Sequence, residues 1–338
     1  MDPCLFALIS TYVPEHSDVL TELADGFLIK EIRNGKTYGN GVLHSFNDKP
    51  AVSSDICQLW YKNGKLHRDD LPAVVDCNGT EEWYQNGMRH RDKDLPAVIY
   101  QNGFQEWFRH GLLHRDTDLP AIIWPKSDYP IQAQEWCRNG LRHRDNDRPA
   151  AIWANGTEEW CQNGKLHRDN DKPARITLDG SQEWWQYGKL HRDNGPAVIN
   201  ANENESWYQY GKLHRNNGPA VIGPRFQIFY QNGELHRDNN LPAVIRSDGS
   251  QEWYQHNQRH RDNDLPALVW PNGTQEWYYH GMVHRNYDLP AVIRSDGSEE
   301  WWQNGSLHRD NLPAVISENG NREWWQNGTF IRQERVRK

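Results

Sequence analysis

The stretch "EWWQNGSLHRDNLPAVI", Glu300 to Ile316, decides how this chain is read. It holds His-Arg-Asp, the triplet that opens the catalytic loop of protein kinases, together with a Trp, an Asn-Gly and a Pro-Ala. The pattern recurs: His-Arg stands at His67, His90, His114, His143, His167, His191, His214, His236, His260, His284 and His308. The steps between these histidines are 23, 24, 29, 24, 24, 23, 22, 24, 24 and 24 residues. A fixed period in this range marks a repeat architecture. A kinase has one such triplet, followed by a metal-binding Asn and an Asp-Phe-Gly. Here nine copies read His-Arg-Asp, two read His-Arg-Asn, and no Asp-Phe-Gly occurs. The stretch is a building unit.

Aligned on its Trp, the unit has Trp at 60, 83, 107, 136, 160, 184, 207, 253, 277, 301 and 324, with Phe229 in one copy. The next position is aromatic except at Cys137 and Cys161, and Gly stands four after the Trp except at Asn257. Asn-Gly between short apolar runs predicts a two-residue type I′ hairpin, because both residues tolerate positive φ. That turn sets a register: Cys161 opposite Leu166, Trp160 opposite His167, and Glu159 opposite Arg168 as a cross-strand charge pair. Pro-Ala follows each His after five or six residues, including a degenerate copy at Pro50-Ala51. Pro has no N–H to donate and belongs at a strand start. "AVI" reads as a short strand, and Asp-Gly-Ser or Asn-Gly-Thr turns the chain back. The signature residues are Trp83, Gly87, His90, Arg91 and Pro96 in one copy, Trp160, Gly164, His167, Arg168 and Pro173 in another, and Trp301, Gly305, His308, Arg309 and Pro313 in a third.

The expected fold is all-β, an elongated array of antiparallel hairpins running as one meander. At about 10 Å per repeat, twelve repeats span roughly 110–120 Å. A lone hairpin is not stable, so neighbours supply the core. Each buried Trp contributes on the order of 4–6 kcal/mol as an upper bound. Residues 34–332 form the array and 333–338 a basic tail. Residues 1–33 show helix-like apolar spacing, expected as a partly helical cap over the first hairpin edge. The alternative is an F-box-like helix pair.

The 338 residues carry 46 acids and 38 bases, a net charge of −8 with the signs interleaved. That excludes a basic nucleic-acid face. No apolar run reaches the roughly 20 residues of a membrane span. Five cysteines at irregular spacing do not suggest a disulfide framework and point to a reducing, cytoplasmic setting. Six Asn-x-Ser/Thr sites, at Asn78, Asn155, Asn204, Asn272, Asn304 and Asn327, read as turn chemistry.

The "EWxxNGxxHR" unit and its period resemble the MORN repeat, in a divergent branch known from large DNA viruses of amoebae, notably the marseillevirus group. The resemblance covers about residues 34–332. It implies a scaffold that contacts other proteins, capsid proteins among them, or associates with itself, in a virion or the host cytoplasm. Arg in place of the MORN glycine after His, and the added Pro-Ala, keep the lipid binding ascribed to some MORN proteins from being carried over.

No catalytic, cofactor or metal residue is assigned. A ladder of His with Asp two residues on suggests metal ligands, but histidines about 10 Å apart cannot share one ion. Each His is expected beside a Trp, capping a backbone group. Asp-x-Asp before Leu-Pro reads as turn capping. Two irregular places are candidate contacts: the insertion Pro125 to Gln132, with Tyr129, and "GPRFQIFYQNG", where Phe226, Ile228 and Phe229 suggest an exposed apolar break. A recruiting adaptor and a lectin-like binder are the other function classes, the latter requiring an exposed aromatic stripe.

Overall fold

The computed structural model describes residues 20–24, 28–33, 35–126 and 131–336. Every element in them is a β-strand. The chain divides into two compact units, one running to Asp169 and taking in Ala174–Leu178, the other formed by Asn170–Pro173 and Asp179 onward.

Each repeat contributes four very short strands, two to a long zigzag ladder and two to a hairpin of its own, rather than the two strands of a single meander. In the first unit, Val98–Ile99 pairs antiparallel with Glu81–Glu82 on one side and Gln105–Glu106 on the other. The same zigzag joins Gln105–Glu106 to Ile122–Ile123, and so on to Glu158–Glu159 with Arg175–Ile176. The second unit repeats it from Gln182–Glu183 with Val198–Ile199 to Val315–Ile316 with Arg322–Gln326. The other ladders are the Asn-Gly hairpins, each a separate two-stranded sheet, such as Tyr84–Gln85 with Met88–Arg89.

The chain breaks between the two ladders at the Trp. Its carbonyl accepts the His N–H, as from His90 to Trp83 at 3.0 Å, while its own N–H turns to the next Ala carbonyl, as from Trp83 to Ala97 at 2.8 Å. This break explains why the charge pair Glu159 with Arg168 does not form. Cys161 does face Leu166, and His167 N–H reaches Trp160. Glu159, however, already lies in the other ladder, where it meets Arg142 at 3.4 Å and Arg175 at 3.5 Å.

The hairpin turns have the expected chemistry. Asn86 and Gly87 both take positive φ, 52° and 84°, as type I′ requires. The Ala after each Pro is wholly buried, from Ala51 to Ala314. In most copies its N–H donates to the carbonyl of the Glu preceding a Trp, as Ala97 to Glu106 at 2.9 Å, so the backbones approach where a larger side chain would not fit.

The expected helical cap is corrected over the part described. Leu20–Ala24 and Leu28–Arg33 are strands, paired with each other, and the second pairs with Lys36–Gly39. Backbone partners there override the helix-like spacing; residues 1–19 lie outside the described residues. At the other end, Thr329–Glu334 extends as a strand into the expected tail. Among the described residues no helix is long and apolar enough to cross a membrane.

Candidate functional site

The groups that look chemical in the sequence meet between successive repeats. The imidazole of His90 shows the pattern. Its Nδ1 accepts the backbone N–H of His110 at 3.4 Å, in the next hairpin turn, and its Nε2 lies 3.2 Å from Asp92. His214 and His308 accept Asn232 and Asn327 N–H in the same way, at 3.0 and 3.2 Å. A bond received at Nδ1 puts the proton on Nε2, which donates to the residue two positions on. Asn216 and Asn286 serve as that acceptor as well as Asp does, at 2.8 and 3.0 Å. These histidines thus cap backbone groups, as expected. In these copies both ring nitrogens have partners within the chain, and no metal-holding cluster of His, Cys, Asp or Glu occurs among the described residues.

The Arg after His is the second connector. Its guanidinium lies over the Trp of its own repeat, at 3.5 Å for Arg91 on Trp83, 3.8 Å for Arg168 on Trp160 and 3.8 Å for Arg309 on Trp301. Such stacking is a cation–π contact. Nη1 donates to a Pro carbonyl, as Arg91 to Pro96 at 3.1 Å and Arg309 to Pro313 at 3.4 Å. Pro173 is half-buried at the corresponding position. The Nε and Nη2 edge then grips a carboxylate of the preceding repeat: Arg309 grips Asp288 at 2.8 and 2.9 Å, and Arg168 grips Asp147. The backbone carbonyl of that same Asp accepts the Trp indole N–H, as Trp301 to Asp288 and Trp160 to Asp147, at 3.0 and 3.1 Å. The second Asp of Asp-x-Asp therefore holds the next repeat, beyond its role in the turn.

The length of the His-to-Pro turn decides whether this grip forms. Pro follows His by six residues after His44, His90, His114, His143, His167, His236, His260 and His284. In all of these the residue four after His bonds the next Arg: Asp48 to Arg68, Asp94 to Arg115, Asp118 to Arg144, Asp147 to Arg168, Asp171 to Arg192, Asn240 to Arg261, Asp264 to Arg285 and Asp288 to Arg309. Pro follows by five after His67, His191, His214 and His308. There the next guanidinium, of Arg91, Arg215, Arg237 or Arg332, still covers its ring but takes no side-chain carboxylate among the described residues. The alternation of five and six was visible in the sequence. Its meaning was not, because the partners lie about one repeat apart.

The hairpins are also tied by their glycines. Gly87, Gly164 and Gly305 N–H groups bond Leu66, Arg142 and Val283 carbonyls of the preceding hairpin, at 2.8, 2.8 and 3.0 Å. Between the hairpins and the long ladder lie partly buried ionic groups. Glu82, only 5 % exposed, takes Arg89 Nε at 2.8 Å and the Tyr84 hydroxyl at 3.0 Å. Burial pushes the Glu106 carboxyl above the ordinary range, against the pull of Arg89 and a bond from Tyr100.

Cys137 and Cys161 are buried, free thiols. Burial beside Glu135 and Glu159 pushes them up to about 12 and about 11, which keeps them as unreactive thiols.

One of the two irregular places differs from expectation. Phe229 is 9 % exposed, beneath Arg237, and Phe226 and Ile228 are half-buried ladder residues, so no exposed apolar break exists there. Tyr129 lies outside the described residues. The tryptophans that would make a sugar platform are buried, Trp83, Trp160 and Trp301 at 5–6 % exposure.

No protein-family model matches the chain, and no curated protein matches it.

Proposed function

We propose that the chain is a non-enzymatic repeat scaffold that binds other proteins along its outward residues. The observation that carries this is a periodic row of half-exposed leucines, each just before the Pro. Leu71, Leu95 and Leu119 form it in the first unit, and Leu241, Leu265, Leu289 and Leu312 in the second, at 39–48 % exposure. The Trp and His groups and most of the Arg groups are spent between repeats, whereas these leucines recur at the surface. Apolar residues exposed in a regular row suit a protein contact. The MORN-like resemblance extends the proposal to a virion or minor capsid component, with capsid or scaffold proteins as partners.

A lectin-like surface is the second reading, favoured by Tyr187 and Tyr210. They sit at the tips of two successive hairpins of the second unit, 65 % and 69 % exposed. An adaptor reading rests on a docking segment within residues 1–33, of which 1–19 and 25–27 lie outside the described residues.

Gentle cross-linking of the native protein, with neighbours identified by mass spectrometry, tests the proposal. Abundant stoichiometric protein neighbours, lost when Leu265, Leu289 and Leu312 become Ser, support it. Saturable binding on a glycan array without protein neighbours would replace it by the lectin reading.

A further inference from the structure

The His214 turn is short, and it opens a cleft. Arg237 covers Phe229 at 3.7 Å and donates Nη1 to Pro242 at 3.0 Å, as its counterparts do. Its Nε and Nη2 edge, which after every six-residue turn grips the preceding repeat, forms no hydrogen bond or ion pair among the described residues. Gly218 precedes the Pro here, in a turn too short to hold the Asp of the six-residue turns. The cleft between this turn and the His236 turn measures about 450 Å³ and is lined by Arg215, Gly218, Phe229 and Arg237 among others. The corresponding clefts bridged by Asp94 with Arg115 and by Asp118 with Arg144 measure about 290 and about 150 Å³.

We infer that the cleft between the His214 and His236 turns is a carboxylate-binding site, in which Arg237 grips an aspartate side chain of a protein partner. This rests on the reading of the array as a protein-binding surface. The chain itself supplies the argument for the occupant: seven of its eight six-residue turns place an Asp in the equivalent grip and one an Asn, at Asn240. The planar guanidinium presents two parallel donors, which a carboxylate matches. Phe229 and Pro219 wall the cleft with apolar surface that strengthens such a bond. A doubly charged phosphate is disfavoured by Asp238 on the rim. That carboxylate is itself held by Gln231 at 2.7 Å and His236 at 3.0 Å. Burial also disfavours an unpaired charge on Arg237, and a bound carboxylate relieves it.

The test titrates the full chain with aspartate capped at both ends (N-acetyl, N-methylamide). The capped asparagine counterpart and inorganic phosphate serve as comparisons, and binding is followed by calorimetry and by the Arg237 Nε–H resonance. A refilled protein carries Gly218→Asp with one leucine inserted after position 218, which restores the six-residue turn. The expected result is saturable binding of capped aspartate, about tenfold weaker binding of the asparagine form, and loss of binding in the refilled protein together with a raised Tm. The rise in Tm shows that the refilled protein folds. Failure of capped aspartate to bind, or equal binding to both proteins, would overturn the site. Phosphate binding tenfold more tightly than capped aspartate would overturn the protein source in favour of a free anion. Capped-aspartate binding in a protein that cross-links to no protein neighbour would do the same while leaving the grip itself in place.

Discussion

Arg115 and Asp94, one repeat apart, meet through two parallel bonds of 2.9 Å each. The Arg115 side chain is 13 % exposed and that of Asp94 44 %, so the pair is half-screened by water. Discounted for that, Asp94→Ala is expected to lower stability by about 1 kcal/mol. Asp94→Asn should cost roughly half as much, since Asn240 performs the same task for Arg261 at 3.1 Å. Urea midpoints of the full chain measure both. Equal midpoints for all three proteins would show that the grip contributes nothing to stability.

His191→Phe keeps a ring against Tyr210, which stacks on His191 with centroids 4.5 Å apart, but removes the acceptor of the Tyr210 N–H. Leaving that donor unsatisfied should cost about 1–3 kcal/mol. Hydrogen exchange locates the effect: the Tyr210 amide should lose protection while amides two hairpins away keep theirs. Uniform loss along the chain would contradict a local cap.

The carboxylates beside the histidines set a pH dependence. Bonds from His67, His114 and His260 hold Asp69, Asp116 and Asp262 below the usual carboxylate range. A depressed folded pKa contributes stability that is present above the unfolded value, about 3.9. It is lost as pH falls through the folded value. The urea midpoint should therefore drop below about pH 4, and less steeply in Asp116→Asn. Glu106 has the opposite sign. Its raised pKa makes ionisation costly in the fold, so Glu106→Gln should gain relative stability as pH rises above the ordinary Glu range. A difference between the two proteins that is independent of pH would refute the assignment.

Among the described cysteines only Cys77 is exposed, while Cys57, Cys137 and Cys161 are buried. In a Cys4→Ser background, native protein should take up one equivalent of a thiol reagent rapidly and three more only on unfolding. Rapid native labelling of Cys137 would contradict its burial.

Gly111 separates space from strain. A Cβ there would meet Met88 at 3.6 Å, an ordinary contact, but φ is +82°. Gly111→Ala should lower stability by about 1 kcal/mol through the backbone alone. Thermal unfolding reads this, and Gly111→Asn should lie closer to the parent protein.

The hairpin register was legible because Asn-Gly admits one turn type, which places Cys161 opposite Leu166. The His cap was legible because a regular His beside a turn needs a partner for each nitrogen. The Glu159 with Arg168 pairing was misread because nothing in the local pattern shows the chain leaving one ladder for another at Trp160. The Arg grip was missed for a related reason: Asp94 and Arg115 become neighbours only once two repeats are stacked. The strands at Leu20–Ala24 and Leu28–Arg33 carry apolar spacing that helix and strand share.

The short turns have a consequence for how such a chain changes over generations. Removing one codon from a His-to-Pro turn leaves the Trp, Ala and Pro positions untouched, yet releases the following Arg from its internal partner. Adding the codon back silences that Arg again. Free guanidinium edges in this architecture can therefore be switched on or off copy by copy through length alone, with no substitution in the core.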